Sequence, residues 1–388
     1  MGQDTDHHGA GWFHSRLVAR RPRLAGVLLP ALLVHLFWWS YMLPRHQLAL
    51  FTARAAAGSG VPGYWMSVTM VFGSLVAGAT SVGGAAVAFP VMTLAFDIAP
   101  SVARDFALMI QTVGMLSAAF AIAYQRIVVD WPCILWCTLG GAISTPAGLA
   151  ALHNWGELPP PIAKTIFLSS WLAFAVALAL LNTRGERDVH RLTPLSPSTR
   201  WKLLVYFLCG LLGGLLTVVS GSGMDLAGFA AQTLLFRVSE KTATPTSVVL
   251  MALNTAVGFF VKGFWLGGME AEATHYWLVC VPVVTVGAPI GAWLASHAHR
   301  RCLAAIVITA DVVQFAIGMW ILFSKSRSGG GSQGGEPQPQ TALVATTVAI
   351  VLGGGGFFLA LSWAGGRLLA KEASLLLQRR AVNAPGPK

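Results

Sequence analysis

Residues 65–97 read WMSVTMVFGSLVAGATSVGGAAVAFPVMTLAFD, and residues 203–236 read LLVYFLCGLLGGLLTVVSGSGMDLAGFAAQTLLF. Each stretch begins as an uncharged run and stops at a glycine and serine break. The breaks are Ser81-Val82-Gly83-Gly84 and Ser220-Gly221-Ser222-Gly223. Each stretch then resumes as a shorter apolar piece. At 1.5 Å per residue a piece of about 12 residues reaches roughly 20 Å, less than a hydrocarbon core of about 30 Å, so these are predicted half-helices. Backbone leaves regular helix inside lipid only where protein or a water-filled cavity satisfies its polar groups. Two such breaks at equivalent places point to one shared cavity.

The two stretches are one feature repeated. A shift of 139 carries Ser81 onto Ser220 and Gly84 onto Gly223, and carries the apolar blocks starting at 106, 131 and 165 to within about three residues of those starting at 242, 273 and 302. Each unit holds three spans after its broken pair. Letting both members of a broken pair enter and leave on one side places 19 of the 26 Lys and Arg on the side of the termini and 7 opposite, as the positive-inside rule requires for a cytoplasmic N- and C-terminus. Passing each pair straight through would instead put the Arg-rich stretch 182–202 outside. Three crossings plus a re-entrant pair is an odd number of full crossings, so the second unit is expected upside down relative to the first. The expected fold is an all-α polytopic membrane protein of two inverted repeats, with one extra span at each end.

Composition points the same way. The 388 residues are 55% hydrophobic and 11% charged, against roughly a quarter charged in soluble domains. The net charge of +11 resides between apolar blocks, where it faces anionic lipids, so membrane lipids are expected partners and nucleic acid is not. Cys133, Cys137, Cys209, Cys280 and Cys302 fall in or beside apolar blocks without metal-ligand spacing and read as core. His35 and His275 read as interfacial. The organisation is a basic head and first span over 1–64, repeat 1 over 65–181, a cytoplasmic basic loop over 182–202 and repeat 2 over 203–323. A Gly, Ser, Pro and Gln linker (324–340) and a last span with a basic tail (341–388) follow. The first span is either a retained anchor or, with Ala55, Ala56 and Ala57 after it, a cleaved leader.

The chemistry is expected at the breaks. A half-helix presents unpaired N–H groups and the positive end of its dipole, which favour an anion. Ser81, Gly83 and Gly84 with Ser220, Ser222 and Gly223 are the candidate anion cradle; the alternative is that the glycines only let helices pack closely. Gln111 and Thr112 in the first copy, and Asn254 and Thr255 in the second, complete the site or act as glue between helices. Asp225 and Asp311 are carboxylates within apolar sequence. Asp225 either binds a cation or caps its helix, and Asp311 either carries a coupling proton or partners a buried polar group. No catalytic residue, metal or cofactor is expected beyond a coupling H+ or Na+.

The stretches FGSLVAGATSVGGAAVAFPVMTLAF and CGLLGGLLTVVSGSGMDLAGFAAQTLLF resemble the two signature segments of the sulfite exporter TauE/SafE family of membrane permeases, over about residues 65–323. The resemblance implies a secondary transporter of small sulfur-containing anions, sulfite or organosulfonates, with the glycine and serine positions of each break at the site. The second short helix departs from that family in lacking a proline and in placing Asp225 close to the break. A channel or membrane scaffold is the alternative class. An intramembrane aspartyl protease is disfavoured, because Met224 interrupts the Gly-x-Gly-Asp pattern and Asp311 follows alanine instead of tyrosine.

Overall fold

The computed structural model describes residues 28–42, 44–45, 49, 51–53, 61–81, 83–183, 191–193, 200–327 and 340–382. The basic head, the Ala55–Ala57 cleavage reading, Val82, most of the 182–202 loop, linker residues 328–339 and tail residues 383–388 lie outside the described residues. Among the described residues the chain is all helix, with no β-strand. The helices are α1 (Leu28–Met42), α2 (Gly63–Ala79), α3 (Ala85–Pro90), α4 (Pro100–Tyr124), α5 (Trp131–Trp155), α6 (Pro160–Thr183), α7 (Trp201–Ser220), α8 (Met224–Ala230), α9 (Glu240–Phe260), α10 (Ala271–His297), α11 (Arg300–Arg327) and α12 (Gln340–Val382).

Eight of these, α4 to α7 and α9 to α12, are long and apolar enough to cross a membrane. Seven coincide with the blocks expected from sequence. The eighth is α7, the first member of the second broken pair, which at 20 residues qualifies alone, whereas α2 has 17. α12 runs 43 residues, past the end of the expected block at 366. α1 is described over 15 residues only. Starts are set locally: Pro100 and Pro160 open α4 and α6, and Pro132 sits in the first turn of α5, where the missing N–H is not needed. Ser239 caps α9 by accepting the Lys241 backbone N–H.

Both short helices loosen into one π-helical turn, Val91–Ala95 after α3 and Ala231–Leu235 after α8. Phe96 N–H donates to Val91 O and Ile98 N–H to Met92 O at 3.0 and 2.8 Å; Phe236 to Ala231 and Val238 to Gln232 repeat those distances. Asp97 and Arg237, 140 apart, both take φ 55 to end the turn. α4 and α9, α5 and α10, and α6 and α11 likewise begin 140 residues apart (100 and 240, 131 and 271, 160 and 300), while α3 and α8 begin 139 apart (85 and 224).

The two sets interlock. α2 packs on α10 and α7 on α5; α4 packs on α10 and α9 on α5; α4 meets α9 and α6 meets α11. Small residues let the closest pairs touch backbone to backbone. A Cβ on Gly78 would lie 1.9 Å from Ala288 O, and one on Gly210 would lie 2.2 Å from Cys137 O. Around these crossings sits a core in which Trp171, Phe174 and Phe229 are buried, with Phe174 edge-on to Phe229 at 5.8 Å and to Phe358 of α12 at 5.6 Å. α12 seals the second half-helix: a Cβ on Gly365 would lie 2.4 Å from Leu234 O, and the Arg237 guanidinium donates to Ser362 O.

Two sequence readings need adjusting. His35 is a tie between helices, its Nε2 2.9 Å from Pro282 O, beside Trp38 Nε1 donating to Leu278 O at 2.9 Å. Cys133, Cys137 and Cys280 are buried, but Cys302, at the start of α11, is exposed, on the face of the helix away from the buried Leu303 and Ala304.

Candidate functional site

The two breaks meet. Gly83 takes φ +76, a left-handed conformation that a side chain disfavours, and its missing Cβ would lie 2.6 Å from Met251 Sδ and 3.1 Å from both Asp225 Oδ2 and Gln111 Oε1. Met251 and Gln111 are 140 apart, equivalent positions on α9 and α4. Gln111 joins the breaks: its Nε2 donates to Gly221 O at 2.8 Å while its Oε1 faces Gly83. Gly221 itself, at φ +76, ends α7 with its N–H on Thr217 O at 2.7 Å.

Asp225 begins α8 and is fully buried. Its Oδ2 accepts the Ser222 hydroxyl at 2.6 Å, and the backbone N–H groups of Gly223, Asp225 and Leu226 surround the carboxyl. The second half-helix thus carries an acidic side chain in its own first turn, at the positive end of its dipole, without a side-chain cap bond to its backbone. Asp225 Oδ1 has no hydrogen-bond partner, nor do Gln111 Oε1, Ser81 Oγ and both carboxyl oxygens of Asp311. Asp311 is fully buried on α11 and interacts electrostatically with Asp225. Buried oxygens without donors are costly, and a cluster of them calls for a proton, a cation or water. The first copy carries Trp171 where the second has Asp311, so the carboxylates belong to one copy alone.

The remaining expected residues divide. Ser220 Oγ donates to Ser222 O at 2.8 Å, folding the second break onto itself, and Gly223 packs so that a Cβ would lie 2.3 Å from Leu216 Cβ. Gly84 has ordinary helical backbone and room for a side chain. Thr112 and Thr255 donate to their own helices, at Leu108 O and Met251 O, both at 2.7 Å. Asn254 has both amide ends engaged: Nδ2 donates to Thr217 Oγ1 at 3.1 Å and Oδ1 accepts the Thr145 hydroxyl at 3.0 Å. Thr217 Oγ1 also lies 3.3 Å from the Met224 N–H, so Asn254 steadies the start of α8 from behind.

Sequence reading missed an ion-pair network beside the second break. Arg104 on α4, 2% exposed, donates to both Glu157 oxygens at 2.7 and 2.8 Å, and Lys262 Nζ lies 2.7 Å from Asp105 Oδ1. Asp105 Oδ2 accepts the Glu270 backbone N–H at 3.1 Å. Arg104 O would be 3.0 Å from a Cβ on Gly221, so this network roofs that break. It ties α4 and the 156–159 loop to the segment joining α9 and α10. Glu157 lies 53 residues from Arg104 and Lys262 lies 157 from Asp105, and no local pattern pairs them. At the opposite end of the helices, Asp130 Oδ2 accepts from Tyr206 at 3.0 Å and from Thr193.

Eight helices long and apolar enough to cross a membrane, with two unwound segments meeting at buried carboxylates between them, are the make-up of a polytopic membrane protein. A family model described as sulfite exporter TauE/SafE matches residues 65–314, more than half of the chain, and the chain belongs to that family. The match ends before α12. No curated protein and no solved structure matches the chain.

Proposed function

We propose that this protein is a proton-coupled secondary carrier of small sulfur-containing oxoanions, of the sulfite or organosulfonate type, working by alternating access. The observation that carries the reading is the meeting of the two breaks at Gly83, where an anion seated on the first break faces Asp225 of the second. Neither half-helix has a side-chain cap, but the second carries Asp225 in its first turn, held by the Ser222 hydroxyl, whereas the first has no acidic residue there, so Ser81, Gly83 and Gly84 are left to the substrate. An ionised Asp225 repels an anion there, and a protonated one does not. Anion and proton therefore bind together, and net direction follows the sum of their gradients. Met251 Sδ beside Gly83 is a soft neighbour unsuited to sodium, which favours the proton. Asp311 is the second station for that proton.

The exchanged helix pairings, α2 with α10 and α7 with α5, support two units inserted in opposite senses, rocking about the α4–α9 contact, with both termini cytoplasmic. The Asp105–Lys262 pair joins the units on one side and, with the Arg104–Glu157 pair of the first unit beside it, closes that exit. The test is uptake into proteoliposomes of a panel of sulfite, sulfate and sulfonates at two pH values, with and without sodium. Saturable, pH-dependent, sodium-independent flux of one panel member is the expected result. Current that does not saturate would identify a channel, and no flux of any panel member would end the reading.

A further inference from the structure

Away from the paired carboxylates, the helix ends near Asp130 border an open cavity of about 580 Å³. Its wall is built from both copies: Arg126 after α4, Arg191, Ser239 and Lys241 at the start of α9, and Ser296 and His297 at the end of α10. No carboxylate is among the described residues lining it. Arg126 is held at φ 54, a conformation rare outside glycine, by the turn in which its N–H donates to Ala123 O. The α9 N-terminus adds its dipole at Lys241. A second, narrower slot of about 10 Å³, room for roughly one water, shares Ile127, Lys241 and Ser296 with the cavity and runs inward to Gly78. Gly78 lies in the tight α2–α10 contact, five residues before Gly83. The basic cavity therefore opens onto the seam whose parting would expose the first break.

We infer that the cavity lined by Arg126, Arg191 and Lys241 is a second anion-binding site, a vestibule that captures the oxoanion before the α2–α10 seam parts. This rests on the transport reading for the substrate's path but not for the site's charge. A cation-lined cleft with low-dielectric walls raises the local anion concentration, and the effect is stronger for a dianion than for a monoanion. Arg126, between α4 and α5, Arg191, in the 182–202 loop, and Lys241, at the start of α9, are all among the 19 basic residues counted on the side of the termini, so capture is from the cytoplasm. An anionic lipid headgroup has the same chemistry as the substrate, so the lipid must be varied in the test.

The test pairs a kinetic with a chemical readout. In inside-out vesicles, the triple variant R126Q/R191Q/K241Q should raise KM about 10-fold or more, from the roughly 10- to 1,000-fold enrichment such clefts provide. The rise should be larger for sulfate than for a monosulfonate and should vanish at high salt. In parallel, Ser296→Cys is placed in a Cys302→Ser background and treated with an anionic thiosulfonate reagent. Modification should be fast, should slow when the three cations are neutralised, and should be blocked by sulfate. Vesicles of purely zwitterionic lipid should give the same results. An unchanged KM with flux intact, absence of sulfate protection, or effects seen only with anionic lipid would each overturn the vestibule. Absent flux with sulfate protection intact would instead overturn the transport reading and leave the anion site standing.

Discussion

Replacing Asp225 with asparagine removes a charge while keeping the shape of the side chain and a partner for the Ser222 hydroxyl. Asp225 Oδ2 lies 3.1 Å from the Cβ position of Gly83, so the centre of an oxoanion on that glycine is about 5 Å from the carboxylate. At an effective dielectric of about 20, two like charges at that distance repel by about 3 kcal/mol. That corresponds to on the order of 100-fold in affinity. The sign follows directly: below the titration of Asp225 the group is neutral and the anion binds, and above it the carboxylate expels the anion. Wild-type affinity should therefore fall on the order of 100-fold as pH rises through that titration. D225N should stay near the low-pH limit throughout and lose accumulation driven by a proton gradient. An alkanesulfonate is the appropriate probe, because it remains a monoanion across the range. Equilibrium binding to purified protein gives the affinity, and counterflow in proteoliposomes reports exchange without a gradient. A D225N profile parallel to wild type, or wild-type affinity that rises with pH, would refute the electrostatic coupling.

Gly83→Ala places a Cβ at φ +76 and against Met251 Sδ; a left-handed alanine costs about 1–2 kcal/mol, so anion binding should weaken roughly 5- to 30-fold with insertion unchanged, and unaltered affinity would detach the first break from the site. Asp311→Asn should leave alkanesulfonate affinity within a few fold while abolishing proton-driven accumulation, measured as flux with an imposed pH gradient; gradient-driven uptake at the wild-type level would remove Asp311 from the proton path. Glu157→Gln takes one carboxylate from Arg104; because Glu157 is 47% exposed its ion pair is worth about 1 kcal/mol or less, so opening on that side should rise no more than about 5-fold, read as amide exchange in residues 156–159 and 262–270, and no change there would show that the network is not a barrier.

Much of the architecture is legible in one dimension because lipid imposes long-range uniformity on sequence. A crossing must be about 20 residues of uncharged chain, so α4, α5, α6, α9, α10 and α11 stand out as blocks, and the half-helices stand out by being too short. Duplication makes the breaks visible twice, and Asp225 and Asp311 are conspicuous because charge in lipid is rare. The site needed more than that. Gln111 bridges both breaks and Asn254 does not, although both are lone amides in apolar helices, because the rotation of α4 and α9 about their axes is set by packing and leaves no local mark. The Arg104 network was illegible for the same reason, its members being gathered from helix ends far apart in sequence.

The amino-acid sequence by itself determines that the chain lives in a bilayer, roughly where its crossings and breaks fall, and that one unit occurs twice, since each follows from the hydrocarbon thickness and from glycine and proline at particular positions. Only the tertiary structure decides that Gly83, Gln111 and Asp225 share one point, that Arg104 and Lys262 close over it, and that the basic helix ends of both copies surround one cavity. Those facts depend on which faces two interlocked sets of helices turn to each other, and that is settled by backbone contacts such as Gly78 on Ala288, between residues more than two hundred positions apart.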